Sequence, residues 1–170
     1  SDLFTSEVTG TFKLISGGGV TDSGDVSVAG TTEISTAATN KSIILDVATS
    51  DFTGALTLSA PKNIAITNVL ATNLATVTAT TGTLNVTSGG DVIDSGVLTV
   101  GNRATITAVG RDITLNSANN YGSIAFEGRN VLLTESSATD IFTSTATGTF
   151  SLNSTGAITD SGAIEVVDNM

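Results

Sequence analysis

The 170 residues include 6 Lys+Arg and 16 Asp+Glu but no His, Cys or Trp, which excludes Ser-His-Asp and Cys-His nucleophile systems, zinc sites of nitrogen and sulfur ligands, thiol redox chemistry and disulfides. A net charge of −10 and a pI near 4.1 oppose nucleic acid and acidic membrane surfaces, because affinity for polyanions comes from Lys and Arg. With 39% hydrophobic and only 13% charged residues the chain is predicted to fold, and with 4% aromatics its core must be aliphatic.

Short alternating runs follow one another along the chain: Thr11 to Ile15, Asp25 to Ala29, Thr32 to Ser35, Ser42 to Val47, Ala55 to Ser59, Asn63 to Thr67 and Leu74 to Ala79. Each pairs an aliphatic residue with Thr, Ser or another polar one, the period of a half-buried strand. No window sustains a helical period, and Gly, Asn, Asp and Ser separate the runs as turn residues. Pro61 falls between two runs, where its missing N–H costs nothing.

The chain also repeats itself. Gly10-Thr11-Phe12 leads to Thr21-Asp22-Ser23-Gly24, Gly82-Thr83-Leu84 to Ile93-Asp94-Ser95-Gly96, and Gly148-Thr149-Phe150 to Thr159-Asp160-Ser161-Gly162. First Gly and Asp are 12 apart each time (22−10, 94−82, 160−148), and the copies start 72 and 66 residues apart (82−10, 148−82). Asp2-Leu3-Phe4-Thr5-Ser6 answers Asp140-Ile141-Phe142-Thr143-Ser144; Thr32 to Ser35 answers Ala104 to Thr107; Phe52 answers Tyr121; Lys62-Asn63-Ile64 answers Arg129-Asn130-Val131. One unit of about two and a half copies, approximately 1–71, 72–138 and 139–170, fills the chain.

A sandwich or up-and-down barrel would need tight Asn-Gly or Asp-Gly hairpins and a more aromatic core. A parallel β-helix needs neither. Dividing the unit by three gives roughly 22 to 24 residues per rung and seven to eight rungs in a column roughly 35 Å tall. On that division Phe12, Leu84 and Phe150 share one stacking register and Val20, Val92 and Ile158 another.

Gly110-Arg111-Asp112-Ile113-Thr114-Leu115-Asn116-Ser117-Ala118-Asn119-Asn120-Tyr121-Gly122-Ser123-Ile124, then Gly128-Arg129-Asn130-Val131-Leu132-Leu133-Thr134 and the stretch 156–162, resemble the degenerate repeats of filamentous-haemagglutinin-type exoproteins. The resemblance runs through nearly the whole chain and is one of composition and period. It implies an all-β, right-handed parallel β-helix from the shaft of a large bacterial adhesin, secreted by a two-partner or autotransporter route and displayed at the cell surface. The part would be structural and non-enzymatic, with a host or neighbouring-cell receptor or glycan as partner. Start at Ser1, end at Met170 and the lack of a secretion domain read as a fragment of such a shaft, with no membrane insertion of this segment. Open end strands would allow end-to-end self-association.

No residue is assigned as catalytic, cofactor-binding or metal-binding, and no cofactor is expected. The Asp22, Asp94 and Asp160 series could serve glycan chemistry, but equivalent residues three rungs apart would stand about 14 Å from one another, beyond the roughly 5 to 9.5 Å of paired glycosidase carboxylates. A corner role is expected instead, with Asp accepting backbone N–H groups and Gly supplying a positive φ. The alternative function, a polysaccharide-binding or polysaccharide-degrading β-helix, would gather Asp91, Asp94 and Arg103 or Arg111 in one groove. A third, an ice- or calcium-binding solenoid, rests on the Thr76-Val77-Thr78, Thr105-Ile106-Thr107 and Thr143-Ser144-Thr145 pairs and on 17–25, where Val20 replaces a Gly of the calcium nonapeptide. Phe4, Phe52, Tyr121 and Phe142 are expected to pack in the core or at corners, and the sequons at Asn40, Asn85 and Asn153 carry no role.

Overall fold

The structure is a computed structural model that describes residues 1–167, so the chain's end at Met170 lies outside the described residues. The described chain forms twenty-one strands and no helix. All strand pairings are parallel. That requires the chain to coil, because a parallel neighbour can be reached only by coming round again.

The first turn runs through Asp2–Leu3, Ser6–Val8 and Phe12–Ser16, and Val20–Asp22 then lies on Asp2–Leu3 with Asp2 opposite Thr21. Each later turn adds one strand to each of three ladders. The first ladder is continuous: Asp2, Thr21, Ile44, Ala65, Asn85, Thr105 and Ala125 stand over one another, and Glu127, Thr145 and Glu165 complete it. Its eight steps make about eight turns, with 18 to 23 residues between partners.

Alternation sends every second side chain into the column. Along the first ladder Val20, Ile43, Ile64, Leu84, Ala104 and Ile124 form one aliphatic stack, all fully buried. Tyr121, Phe52 and Phe126 are the bulkiest buried side chains. Burying one Val, Leu, Ile or Phe side chain is worth about 1.5–3 kcal/mol, so these stacks are the main source of cohesion.

The sequence repeat does not coincide with a whole number of turns. Phe12 lies on the third ladder opposite Thr32, Leu84 on the first opposite Ile64, and Phe150 on the second opposite Val131. Likewise Asp22 faces Leu3 on the first ladder, Asp94 faces Leu74 on the second, and Asp160 faces Ile141 on the third. One unit is therefore three turns and one face, or ten strand segments, and each copy is rotated by a face from the copy before. At about 4.8 Å per turn it climbs roughly 16 Å. The three-rung division and its shared stacking registers are corrected accordingly: turns hold about 20 residues rather than 22 to 24, and equivalent residues occupy successive faces.

Candidate functional site

The Asp-Ser-Gly corners come first because they are the only acidic motif present in all three copies. Asp22 accepts the backbone N–H groups of Asp46 (3.0 Å) and Val47 (3.3 Å), both in the next turn. Asp94 does the same for Asn116 (2.9 Å) and Ser117 (3.1 Å), and also takes the Asn119 side-chain amide at 2.7 Å. Asp94 is buried, whereas Asp160, on the last described turn, is exposed and has no such partner among the described residues. Burial raises the Asp22 carboxyl above its ordinary range although two backbone N–H groups pull it down.

The serine points the other way. Ser23, Ser95 and Ser161 each donate their backbone N–H to the preceding turn, to Leu3, Leu74 and Ile141 at 2.9 to 3.0 Å. Their hydroxyls reach Asp2 (2.9 Å), Asn73 (2.8 Å) and Asp140 (2.7 Å) in that same turn. The glycine is needed for closeness and not, as expected, for a positive φ, which Gly110 alone of the glycines shows among the described residues. A Cβ on Gly24, Gly96 or Gly162 would lie 2.4, 1.6 or 2.2 Å from backbone atoms of Thr5, Ala75 or Thr143. The three-residue motif is thus a clasp that joins the turn below to the turn above.

Other corners use side chains where backbone pairing breaks. The amide of Asn68 accepts the Phe52 N–H and donates to the Phe52 carbonyl, both at 3.0 Å. At the equivalent place one face on, buried Glu135 accepts the Tyr121 N–H through both oxygens at 3.3 and 3.2 Å. Burial raises the Glu135 carboxyl, and burial with Asp94 and Glu135 nearby raises the Tyr121 phenol, whose buried hydroxyl has no partner. Ser50 and Asn119 form a second such pair, taking the N–H groups of Val26 (3.0 Å) and Leu98 (2.8 Å).

Asp91, Asp94 and an arginine are not brought into one groove. Asp91 is exposed and accepts the Asp112 N–H at 3.0 Å. Asp112 in turn holds Arg129 through two bonds of 2.8 and 2.9 Å, and this guanidinium lowers the Asp112 carboxyl to about 2. Asp94 points inward, away from this surface column, and Arg111 is exposed. Thr76 and Thr78 lie on the third ladder while Thr105, Thr107 and Thr145 lie on the first, so the Thr pairs do not share one face. Among the described residues no three acidic side chains gather in a way that could hold a metal ion. Phe52 and Tyr121 are core residues as expected, but Phe4 is 70% exposed.

One corner departs from the repeat. Between Val100 and Arg103 the chain uses one more residue than the turn above it, where Tyr121 and Ser123 are the partners. This bulge opens a cleft of about 600 Å³ beside Arg103, walled by Thr83, Asn85, Thr105, Ser123 and Asp140. Gly101 and Gly122, which also line it, pack directly on the turn below: a Cβ there would be 2.2 and 2.5 Å from carbonyl oxygens of Thr80 and Asn102. The Arg103 guanidinium carbon lies 3.5 Å from the centroid of the Phe142 ring. Its Nε is buried without a hydrogen-bond partner, and the two ion pairs among the described residues, Lys13–Glu33 and Arg129–Asp112, lie elsewhere. The sequence offers Arg103 only as a partner for Asp91 and Asp94; the signal that marks this corner is a cation where the first copy has Thr31.

No curated protein and no solved structure matches the chain. A family model described as repeats of unknown function (DUF5649) matches three times, over residues 1–59, 62–125 and 128–170. These matches take in nearly every residue of the coil, and the chain belongs to the DUF5649 repeat family.

Proposed function

We propose that this chain is a structural shaft segment of a secreted or cell-surface bacterial adhesin and has no enzymatic activity of its own. The observation that carries this reading is the Asp-Ser-Gly clasp: the one acidic motif repeated in every copy is used to fasten turn to turn, on three different faces, with the same serine contacts each time. Such a column holds surface away from a cell at little cost in sequence complexity, since parallel ladders saturate backbone hydrogen bonds and aliphatic stacks fill the interior. The resemblance to filamentous-haemagglutinin-type repeats supports the same reading.

The test is to raise antibodies against the chain, stain intact and permeabilised cells of the source bacterium, and delete the parent gene. Staining of intact cells with loss of surface attachment on deletion is expected. Staining only after permeabilisation, or attachment unchanged by deletion, overturns the reading. One observation favours a second reading, glycan binding on the same fold: the cleft at Arg103 is walled by amide and hydroxyl side chains around a single arginine.

A further inference from the structure

We infer that the cleft beside Arg103 is a binding subsite for a glycan carrying a carboxylate sugar, a hexuronate, with Arg103 as its anchor. The inference concerns this chain's own residues and holds whether or not the parent protein is an adhesin. It starts from the internal control that the repeat provides. Residues 101–104 correspond to 29–32, an offset of 72 (103−31). Both copies make the same backbone bond at this corner, Gly30 N–H to Gly10 at 3.2 Å and Asn102 N–H to Gly82 at 3.0 Å, but in the first copy the Thr31 hydroxyl meets that of Thr11 at 3.1 Å. The second copy replaces Thr31 by Arg103, and at the 66-residue offset the third copy's sequence has Asn169. A cation at this corner is therefore no requirement of the fold.

The arginine is also poorly served by its surroundings. Its Nε–H is buried without an acceptor, and leaving a buried donor unpaired costs free energy that folding must recover elsewhere. The carboxylate nearest at hand does not serve: Asp140 lines the cleft, but its oxygens accept the hydroxyls of Thr159 (3.3 Å) and Ser161 (2.7 Å), the latter as part of the clasp. Contact with the Phe142 ring fixes the guanidinium plane, which removes much of the entropy that a free arginine would lose on binding. Held in this way, an unpaired fork suits a carboxylate, which accepts two parallel N–H bonds.

The walls decide what else the ligand carries. Asn85, Thr83, Thr105 and Ser123 present an amide and hydroxyls, with no large apolar side chain, so the rest of the ligand is polyhydroxylated. A volume of about 600 Å³ falls within the range of small-ligand clefts. At a net charge of −10 the column as a whole opposes acidic ligands, so an anionic sugar depends on a local cation, and Arg103 is the one that lines this cleft.

The probe is tetragalacturonate, with maltotetraose as the neutral comparison, titrated into the 15N-labelled chain and followed by NMR at the Ser123 and Asn102 amides and the Arg103 Nε–H, with calorimetry for affinity. Saturable shifts at these positions are expected for the acid sugar, with maltotetraose binding at least about tenfold more weakly. R103T, which restores the residue of the first copy, should lose at least about tenfold in affinity while its melting temperature stays near that of the parent, and R103K should lose part of it. N85A, on the outer wall, should weaken binding a few-fold and keeps the test open if R103T does not fold. The inference is overturned by no saturable shift at about 10 mM tetragalacturonate, by equal affinity for maltotetraose, or by a folded R103T or N85A that binds as the parent does.

Discussion

Replacing the aspartate of each clasp by alanine is the most direct test of what the motif does, because one substitution is made at three equivalent positions that differ only in what they hold. Asp94 is buried and accepts from two backbone N–H groups and the Asn119 amide. Hydrogen bonds to a charged group are worth about 1.5–3 kcal/mol each, are not additive, and are offset by the cost of burying the carboxylate. Asp94→Ala is expected to cost about 3–5 kcal/mol, near the upper end for a point change, because it strands buried donors as well as removing their partner. Asp22, partly exposed and bonded to two N–H groups, should cost about 1–2 kcal/mol. Asp160, exposed and without a partner among the described residues, should fall within about 0.5 kcal/mol of the parent. Urea unfolding followed by far-ultraviolet circular dichroism gives the order. Amide exchange at Asn116 and Ser117 gives the location, since a coil of stacked turns can open locally. Equal losses at the three sites, or a costly Asp160→Ala, would refute the clasp and return the acids to a solvent-facing role.

Glycine makes a second contrast: Gly96→Ala, whose Cβ would lie 1.6 Å from the Ala75 carbonyl oxygen, should lower the urea midpoint sharply, while Gly18→Ala, with nothing within 4 Å, should leave it unchanged or raise it. The Asp112 carboxyl, held at about 2 by Arg129, gives stability that is present above its ordinary value of 3.8 and is lost as pH falls through about 2. Carbon-13 titration should show that depressed midpoint and its return toward 3.8 in Arg129→Gln; an ordinary midpoint in the parent contradicts the pairing. For Glu135 the sign is opposite. Its raised carboxyl binds a proton more tightly in the folded chain, so stability increases as pH falls from neutral through that group's folded value, and Glu135→Gln should remove that increase in urea midpoints compared across mildly acidic pH.

The strands legible in the sequence are those of five residues or more, together with Val26–Val28 and Ile43–Leu45, which sit inside longer alternating runs. Phe12–Ser16, Thr32–Thr36, Leu56–Ala60, Ile64–Asn68 and Thr72–Ala79 lie within a residue or two of the expected runs. Ser6–Val8, Val20–Asp22 and Asp51–Phe52 have two or three residues each, too few for a period to show, and they are held by partners above and below. Those short strands are why the turn length was misjudged: without them ten strand segments per unit cannot be counted, and division by three looks natural. Local pattern is equally silent on the clasp serine, whose acceptors Asp2, Asn73 and Asp140 lie 21 or 22 residues upstream on a neighbouring turn. Arg103 was visible as a residue, but its isolation from carboxylates depends on where the Asp140 oxygens turn.

A repeat of three turns and one face has a consequence for any surface this column offers. Equivalent residues are displayed on a screw, each copy about 16 Å higher and a third of the way round, and return to the same face only after three units. A partner lying flat against one face therefore meets a different part of the unit at every level, and the repeated sequence cannot present it with a row of identical contacts. The clasp aspartates are spread in the same way, with Asp22, Asp94 and Asp160 on three successive faces. Specific recognition on such a shaft has to arise where one copy breaks the pattern. At Arg103 it does so with a bulge, a cation and a stacked ring where the first copy has a contact between the Thr31 and Thr11 hydroxyls.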